Sequence, residues 1–210
     1  MIKKIFKSLI CIIILSTSLY SQNINKIAFT FDDGPKPKIT EEILDILKEN
    51  DVKATFFVIG KNAKVNSKIL KRMDDEGHLV ENHSYTHPNY TKLSTEAIKK
   101  ELQSTQDVIY KATGKKPKYF RPPYGAMKKS QKKEIENSMG IKSVLWDICP
   151  EDWKKENDVN YITEYLLKNS RPNVIVLLHD NPKTVQAIKK VIPILKERGY
   201  DFVGVDEMKR

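Results

Sequence analysis

Thr30-Phe31-Asp32-Asp33-Gly34-Pro35 is the stretch whose reading decides the fold. It follows Lys26-Ile27-Ala28-Phe29, a short alternating apolar run of the kind that forms a strand. The Gly34-Pro35 pair halts that strand and forces a turn. Two adjacent carboxylates therefore stand at a strand's C-terminal end, where α/β proteins commonly carry their chemistry. Like charges side by side cost free energy unless a metal or an arginine is close. Taken alone, this stretch has a plainer reading as a solvated turn; the rest of the chain argues against it.

Beyond the turn, strands and helices alternate. Thr40 reads as the cap of a helix through about Glu49, with Ile43, Leu44, Ile46 and Leu47 on one face. Ala54 to Ile59 is apolar throughout, as a strand covered on both faces should be, and Gly60 ends it. A helix over about 66–76 is closed by Gly77, and residues 78–82 extend into His83. Ser94 or Thr95 opens a longer helix through Ala112, closed by Gly114. Pro117 to Phe120 is a short strand running into Arg121-Pro122-Pro123-Tyr124-Gly125, which no helix or strand interior tolerates. Next come a helix near 130–138, a strand over 141–148, a helix capped by Asp158 and a strand over 174–178. A helix over 184–198, which Pro193 should kink or shorten, and a strand through 202–205 complete seven strands and six helices.

Such alternation predicts an α/β fold with a mostly parallel sheet, either open or closed. Asp32/Asp33, His83, Arg121, the 147–153 segment and His179 each follow a different strand's C-terminal end. A barrel gathers those ends round one mouth, so an incomplete barrel is the expectation.

The 210 residues, 40% of them hydrophobic, suit one large domain, and no internal repeat is visible. Residues 1–21 stand apart. Lys3, Lys4 and Lys7 precede the apolar run Leu9 to Leu15, and Ser16, Thr17, Ser18 and Ser21 follow. That is the order of a secretory signal peptide, and the run is shorter than the ~18–20 apolar residues of a membrane span. Cleavage after Ser18 or after Ser21 fits equally. The expected product is an exported, monomeric 22–210 domain with no stable membrane span. It keeps only Cys149, so no intramolecular disulfide is available to it. Loss of the three leader lysines lowers the formal charge from +10 to +7. The remaining lysines are scattered rather than clustered with aromatics, which speaks for a solvated surface and not for nucleic acid.

His83-Ser84-Tyr85-Thr86-His87 holds two imidazoles four residues apart, metal-ligand spacing if the segment is helical. Alone the pattern is weak, but three of only four histidines lie at strand ends beside a double aspartate. Asp33, His83 and His87 together offer two nitrogens and one oxygen with a position left for water, the donor set of a catalytic zinc-type site. Adjacent residues in extended chain point to opposite sides, so Asp32 should face away from Asp33 and serve as base. His179 is then the unspent proton donor. Leu177 points the same way as His179 along its strand and forms an apolar wall for a small group such as a methyl, or else plain barrel core. Arg121 would hold Asp32 ionised, and the rigid loop behind it would present the Tyr124 amide to an oxyanion; the alternative is a surface Arg-Pro-Pro turn. Trp153 and Tyr124 could stack on a sugar ring or simply pack. His78 and Trp146 read as structural.

In order along the chain, these segments resemble the motifs of the NodB-homology polysaccharide deacetylases, carbohydrate esterase family 4. The segments are Thr30 to Pro35, His83 to His87, Arg121 to Gly125, the Asp152-Trp153 pair and Leu177-Leu178-His179-Asp180, and the likeness spans about residues 26–205. The resemblance implies a distorted, incomplete (β/α) barrel of about seven parallel strands and metal-dependent removal of acetyl groups from N-acetylated, sometimes O-acetylated, polysaccharides. It implies Asp32 as base, and Asp33, His83 and His87 as ligands of a divalent ion, zinc first and cobalt or a similar ion as alternatives. Arg121 supports the base, the Tyr124 amide the oxyanion, and His179 is the acid. One departure stands out: the family's Asp-x-x-Asp-Trp is here Cys149-Pro150-Glu151-Asp152-Trp153. The absent aspartate normally helps tune the acid–base machinery, and Asp147, ~7 Å further back along a strand, is an imperfect stand-in. Lower activity or a shifted pH optimum is expected.

Three functions follow. A secreted deacetylase of peptidoglycan or a chitin-like polymer leads. A glycan-binding protein that keeps the cleft but not turnover comes second, and a hydrolase of small cyclic amides third.

Overall fold

A computed structural model describes residues 25–208, so the expected signal peptide lies outside the described residues. Seven parallel strands form one curled sheet in the order β5-β4-β3-β2-β1-β6, with β7 beside the start of β1. They are β1 (Asn25–Asp32), β2 (Thr55–Val58), β3 (Leu79–Asn82), β4 (Tyr119–Phe120), β5 (Lys142–Ser143), β6 (Val174–His179) and β7 (Tyr200–Phe202). Helices α1 (Ile39–Glu49), α2 (Gly60–Val65), α3 (Ser67–Asp75), α4 (Thr95–Thr113), α5 (Lys129–Met139), α6 (Val159–Asn169) and α7 (Pro182–Glu197) cross between them. The strand count matches the expectation. The helix count does not, because the β2–β3 crossover is split between α2 and α3.

Alternation along β1 builds two cores. Ile27, Phe29 and Phe31 face outward into the cluster shared with Leu44 and Leu47 of α1 and Ile188 and Ile192 of α7. Ala28 faces the barrel interior with Phe57, Ile175 and Val205, and Thr30 and Asp32 point there too, both bonded to Arg121. Each fully buried Phe on the outer face contributes about 2–3 kcal/mol, and Phe29 gains an edge-on contact with Phe202 at 5.0 Å. An inward carboxylate is therefore fixed by the register of the outward phenylalanines: a one-residue slip would exchange the two faces.

Three local expectations change. Thr40 is not the α1 cap; its hydroxyl accepts from Lys36 N–H at 2.7 Å and donates to Asp180, while Lys38 holds the N-cap position and its N–H donates to Glu41 Oε2 at 2.9 Å. The α7 helix is not shortened by Pro193 and runs on to Glu197. Residues 141–148 are not one strand. Lys142–Ser143 pairs with β4, whereas Ile148 bridges Val176 of β6. Residues 144–147 cross the interval where a complete barrel would hold another strand, and one short segment cannot hydrogen-bond along both edges at once. The caps expected at α4 and α6 hold as physical devices, Ser94 and Asp158 each accepting a backbone N–H from the first turn, and Asn181, which the sequence reading did not name, does the same for α7.

Candidate active site

The C-terminal ends of β1, β3, β4 and β6 converge. Asp32 is the last residue of β1 and lies in register with His179, the last of β6. The following residue, Asp33, is left-handed at φ 73, which turns its carboxylate back toward Asp32's side. Strand alternation is broken at this point, so the expectation that Asp32 faces away from Asp33 fails. His83 Nε2 is 3.6 Å from both Asp32 Oδ2 and Asp33 Oδ1.

The His83–His87 segment is not helical. It is a loop in which Ser84 and His87 are left-handed, at φ 65 and 63, and it brings the two rings to 4.9 Å between centroids. His87 Nε2 lies 3.4 Å from Asp33 Oδ1. Donors bound at about 2.0–2.1 Å to one tetrahedral ion are about 3.4 Å apart, so Asp33, His83 and His87 fit a divalent cation. Two further observations agree. Asp33 Oδ1 is buried with no hydrogen-bond donor among the described residues, although two imidazole nitrogens face it. The Arg121 carbonyl, 2.7 Å from His83 Nδ1, can only accept, so Nδ1 carries the proton and Nε2 offers its lone pair. Burial also lowers the His83 pKa, keeping the ring neutral as a ligand must be.

Arg121 is fully buried. Its Nη1 donates to Asp32 Oδ1 at 2.8 Å and Thr30 Oγ1 at 2.7 Å, and its Nε and Nη2 reach the Val144 and Leu145 carbonyls at 3.2 and 3.3 Å. Its guanidinium carbon sits 4.2 Å over the Phe57 ring and 5.6 Å from that of Trp146. Burial pushes the Asp32 carboxyl above the usual range while Arg121 and His179 pull it down.

His179 faces this group from the other side. Burial alone would discharge it, but the Asp152 carboxylate, with Oδ1 at 2.8 Å from Nδ1, raises its pKa above the ordinary value. Asp152 is buried too, yet the bonds it accepts from His179 and Thr184 hold it below the usual carboxylate range. Its Oδ2 takes His179 N–H at 2.8 Å, Asn181 Nδ2 at 2.9 Å and the Thr184 hydroxyl. Sequence reading missed this partnership; the only signal was the Asp152-Trp153 pair itself. Asp147, the imperfect stand-in for the absent aspartate, has its Oδ2 engaged by Ile175 N–H at 2.7 Å. Burial pushes the Cys149 thiol up to about 12, so a neutral group stands there.

Tyr124 and Trp153 flank the centre and are 66% and 51% exposed, Tyr124 edge-on to His87 at 4.7 Å and Trp153 to His179 at 4.9 Å. Leu177 is buried one pleat below His179. Tyr124 is left-handed at φ 60 within the short turn Pro123–Gly125. His78 lies apart, its Nδ1 accepting from Ala54 N–H at 3.3 Å and its pKa lowered by burial to about 4.

A curled parallel sheet with a two-histidine, one-carboxylate cluster able to hold a metal ion, between a buried Asp–Arg pair and an Asp–His pair, defines a class: curled-sheet α/β proteins with a candidate metal site at the strand ends. Within that class, the chain belongs to the polysaccharide deacetylase family, whose profile matches residues 20–144. It is 41% identical over 184 residues to a Listeria monocytogenes peptidoglycan-N-acetylglucosamine deacetylase, covering 87% of this chain and 38% of that protein. A Bacillus cereus peptidoglycan-N-acetylglucosamine deacetylase is 39% identical, with 87% of this chain and 68% of the relative covered. The structure of peptidoglycan deacetylase PdaC from Bacillus subtilis superposes with a TM-score of 0.82 at 38% identity, over 88% of this chain and 90% of that one. The chain thus spans well under half the length of the Listeria relative. Among the described residues no helix is long and apolar enough to cross a membrane.

Proposed function

We propose that the chain is a secreted, metal-dependent deacetylase that removes N-acetyl groups from a cell-wall glycan, peptidoglycan N-acetylglucosamine or a chitin-like polymer, and releases acetate. The observation that carries the reading is the placing of Asp33 Oδ1 at 3.6 Å from His83 Nε2 and 3.4 Å from His87 Nε2, between the Arg121-bound Asp32 and the Asp152-bound His179. Asp33, His83 and His87 hold the ion, zinc by preference, which supplies Lewis acidity to a water and to the acetyl carbonyl.

The chain's own residues do the rest. Asp32, oriented by Arg121, takes the proton from the attacking water. Tyr124 N–H donates to the developing oxyanion. His179, kept protonated by Asp152, gives its Nε2 proton to the leaving amine. Leu177 lies beside the acetyl methyl, and Tyr124 and Trp153 stack on sugar faces at the mouth. Export follows from the leader at 1–21, and the domain acts as a monomer.

The test is an acetate-release screen over peptidoglycan, chitooligosaccharides, poly-N-acetylglucosamine and acetylated xylan. Release from an N-acetylated polymer, lost on chelation and restored by zinc or cobalt, is expected; full activity in Asp33→Ala or His87→Ala would sink the reading. The neutral Cys149 favours a second reading, a glycan-binding protein without turnover. It predicts oligosaccharide binding with no acetate at any pH.

A further inference from the structure

A loop that carries metal ligands must satisfy its own backbone, and left-handed residues in it persist only where the surroundings over-determine them. The His83–His87 loop has two such residues, Ser84 and His87. Most of its ties are neutral: Ser84 N–H to Asn82 Oδ1 at 2.9 Å, His87 N–H to Ser84 Oγ at 2.9 Å, and the Ser84 and Tyr85 carbonyls to Gly60 and Lys61 N–H. The charged tie comes from Glu101 on α4. Its Oε2 accepts from Tyr85 N–H at 2.9 Å and Thr86 N–H at 2.7 Å, and its Oε1 from the Thr86 hydroxyl at 3.0 Å. Both amides lie between the two imidazoles. The neighbouring Leu102 carbonyl accepts Asn82 Nδ2 at 2.8 Å, so one turn of α4 grips the root and the crown of the loop together.

We propose that Glu101 is a positioning residue that sets the centre's affinity for its divalent ion by fixing the arc between His83 and His87. The inference rests on the reading of Asp33, His83 and His87 as a metal centre. Glu101 touches neither ion nor substrate; it acts through the loop that brings His87 Nε2 to 3.4 Å from Asp33 Oδ1. Hydrogen bonds to a carboxylate are roughly twice as strong as neutral ones, and loss of an outer partner lowers metal affinity about 10–100-fold.

The experiment measures zinc affinity by chelator competition for the parent, Glu101→Ala, Glu101→Gln and Glu96→Ala. The last removes a side chain 81% exposed on the same helix. Amide exchange at Tyr85 and Thr86 is followed in the ion-free protein. Glu101→Ala is expected to bind zinc about 10–100-fold more weakly, with faster exchange at those two amides and kcat recovering at saturating zinc. Glu101→Gln, which keeps the shape without the charge, falls between, and Glu96→Ala matches the parent. A purely structural role would lower thermal stability and leave affinity unmoved, which overturns the proposal. If the alanine variant does not fold, the glutamine variant decides: weakened binding supports the proposal and parental affinity overturns it. A parent that binds no zinc overturns both this inference and the metal centre, whereas parental binding with unchanged variants overturns this inference alone.

Discussion

Replacing Asp152 by Asn removes one charge and almost no volume. Oδ2 of Asp152 meets three donors, from His179, Asn181 and Thr184, so the asparagine oxygen must take that position. The new NH2 then faces His179 Nδ1, where the carboxylate had accepted at 2.8 Å. Two donors cannot share that line, and the ring must give up its Nδ1 proton. A bond to a charged group contributes about 1.5–3 kcal/mol, which at about 1.36 kcal/mol per unit lowers the His179 pKa by about 1–2 units. The sign follows from the role of His179 as proton donor. An acid works only while protonated, so activity falls as pH rises through this pKa. The alkaline limb of the kcat/KM profile for acetate release should therefore move about 1–2 units toward lower pH. At neutral pH the rate should drop about 10²–10⁴-fold, the usual contribution of a positioned acid. The assay is acetate release at saturating zinc across the pH range. An alkaline limb that stays in place, with less than a tenfold loss of rate, would refute His179 as acid and Asp152 as its support.

Cys149→Asp adds a carboxylate near Asp32, Asp152 and Glu151. Extra negative charge favours the protonated forms of Asp32 and His179, so both limbs of the pH–rate profile should move up by about a unit or less; an unchanged profile would show that the position carries no electrostatic weight. Gly125→Ala should lower Tm, because Gly125 sits at φ 65 and a Cβ there would come within 2.8 Å of the Trp146 ring. Left-handed strain of about 1–2 kcal/mol corresponds to a fall of about 2–8 °C for a domain of this size, read by calorimetry; an unmoved Tm would refute the strain argument.

Much of the architecture was written in period. The alternating run Lys26 to Phe29 declares a strand, and Ala54–Ile59, apolar but for Thr55, declares one covered on both faces, as the burial of β1 and β2 bears out. What failed depends on single dihedrals or on distant partners. Asp33 and His87 are left-handed, a conformation that aspartate and histidine adopt more often than most residues but still only in a small minority of positions. Strand alternation therefore misjudged Asp32 against Asp33, and helical spacing misdescribed the histidine loop, although the residues named do converge. Lys142 to Ile148 reads as one β-like run, yet its two ends answer to opposite edges of the sheet. Asp152 and Glu101 were beyond reach for another reason. Their meaning lies in which donors meet them across 27 and 15–16 residues of chain, and nothing local encodes that.

The guanidinium under Asp32 also holds the carbonyls of Val144 and Leu145, on the stretch that crosses the missing stave of the cylinder. One side chain thus fastens the seam and aims the base. Displacing the wall at 144–145, by mutation or by a bulky polymer, would be felt directly at Asp32, so the outline of the groove and the reactivity at its floor cannot be altered independently.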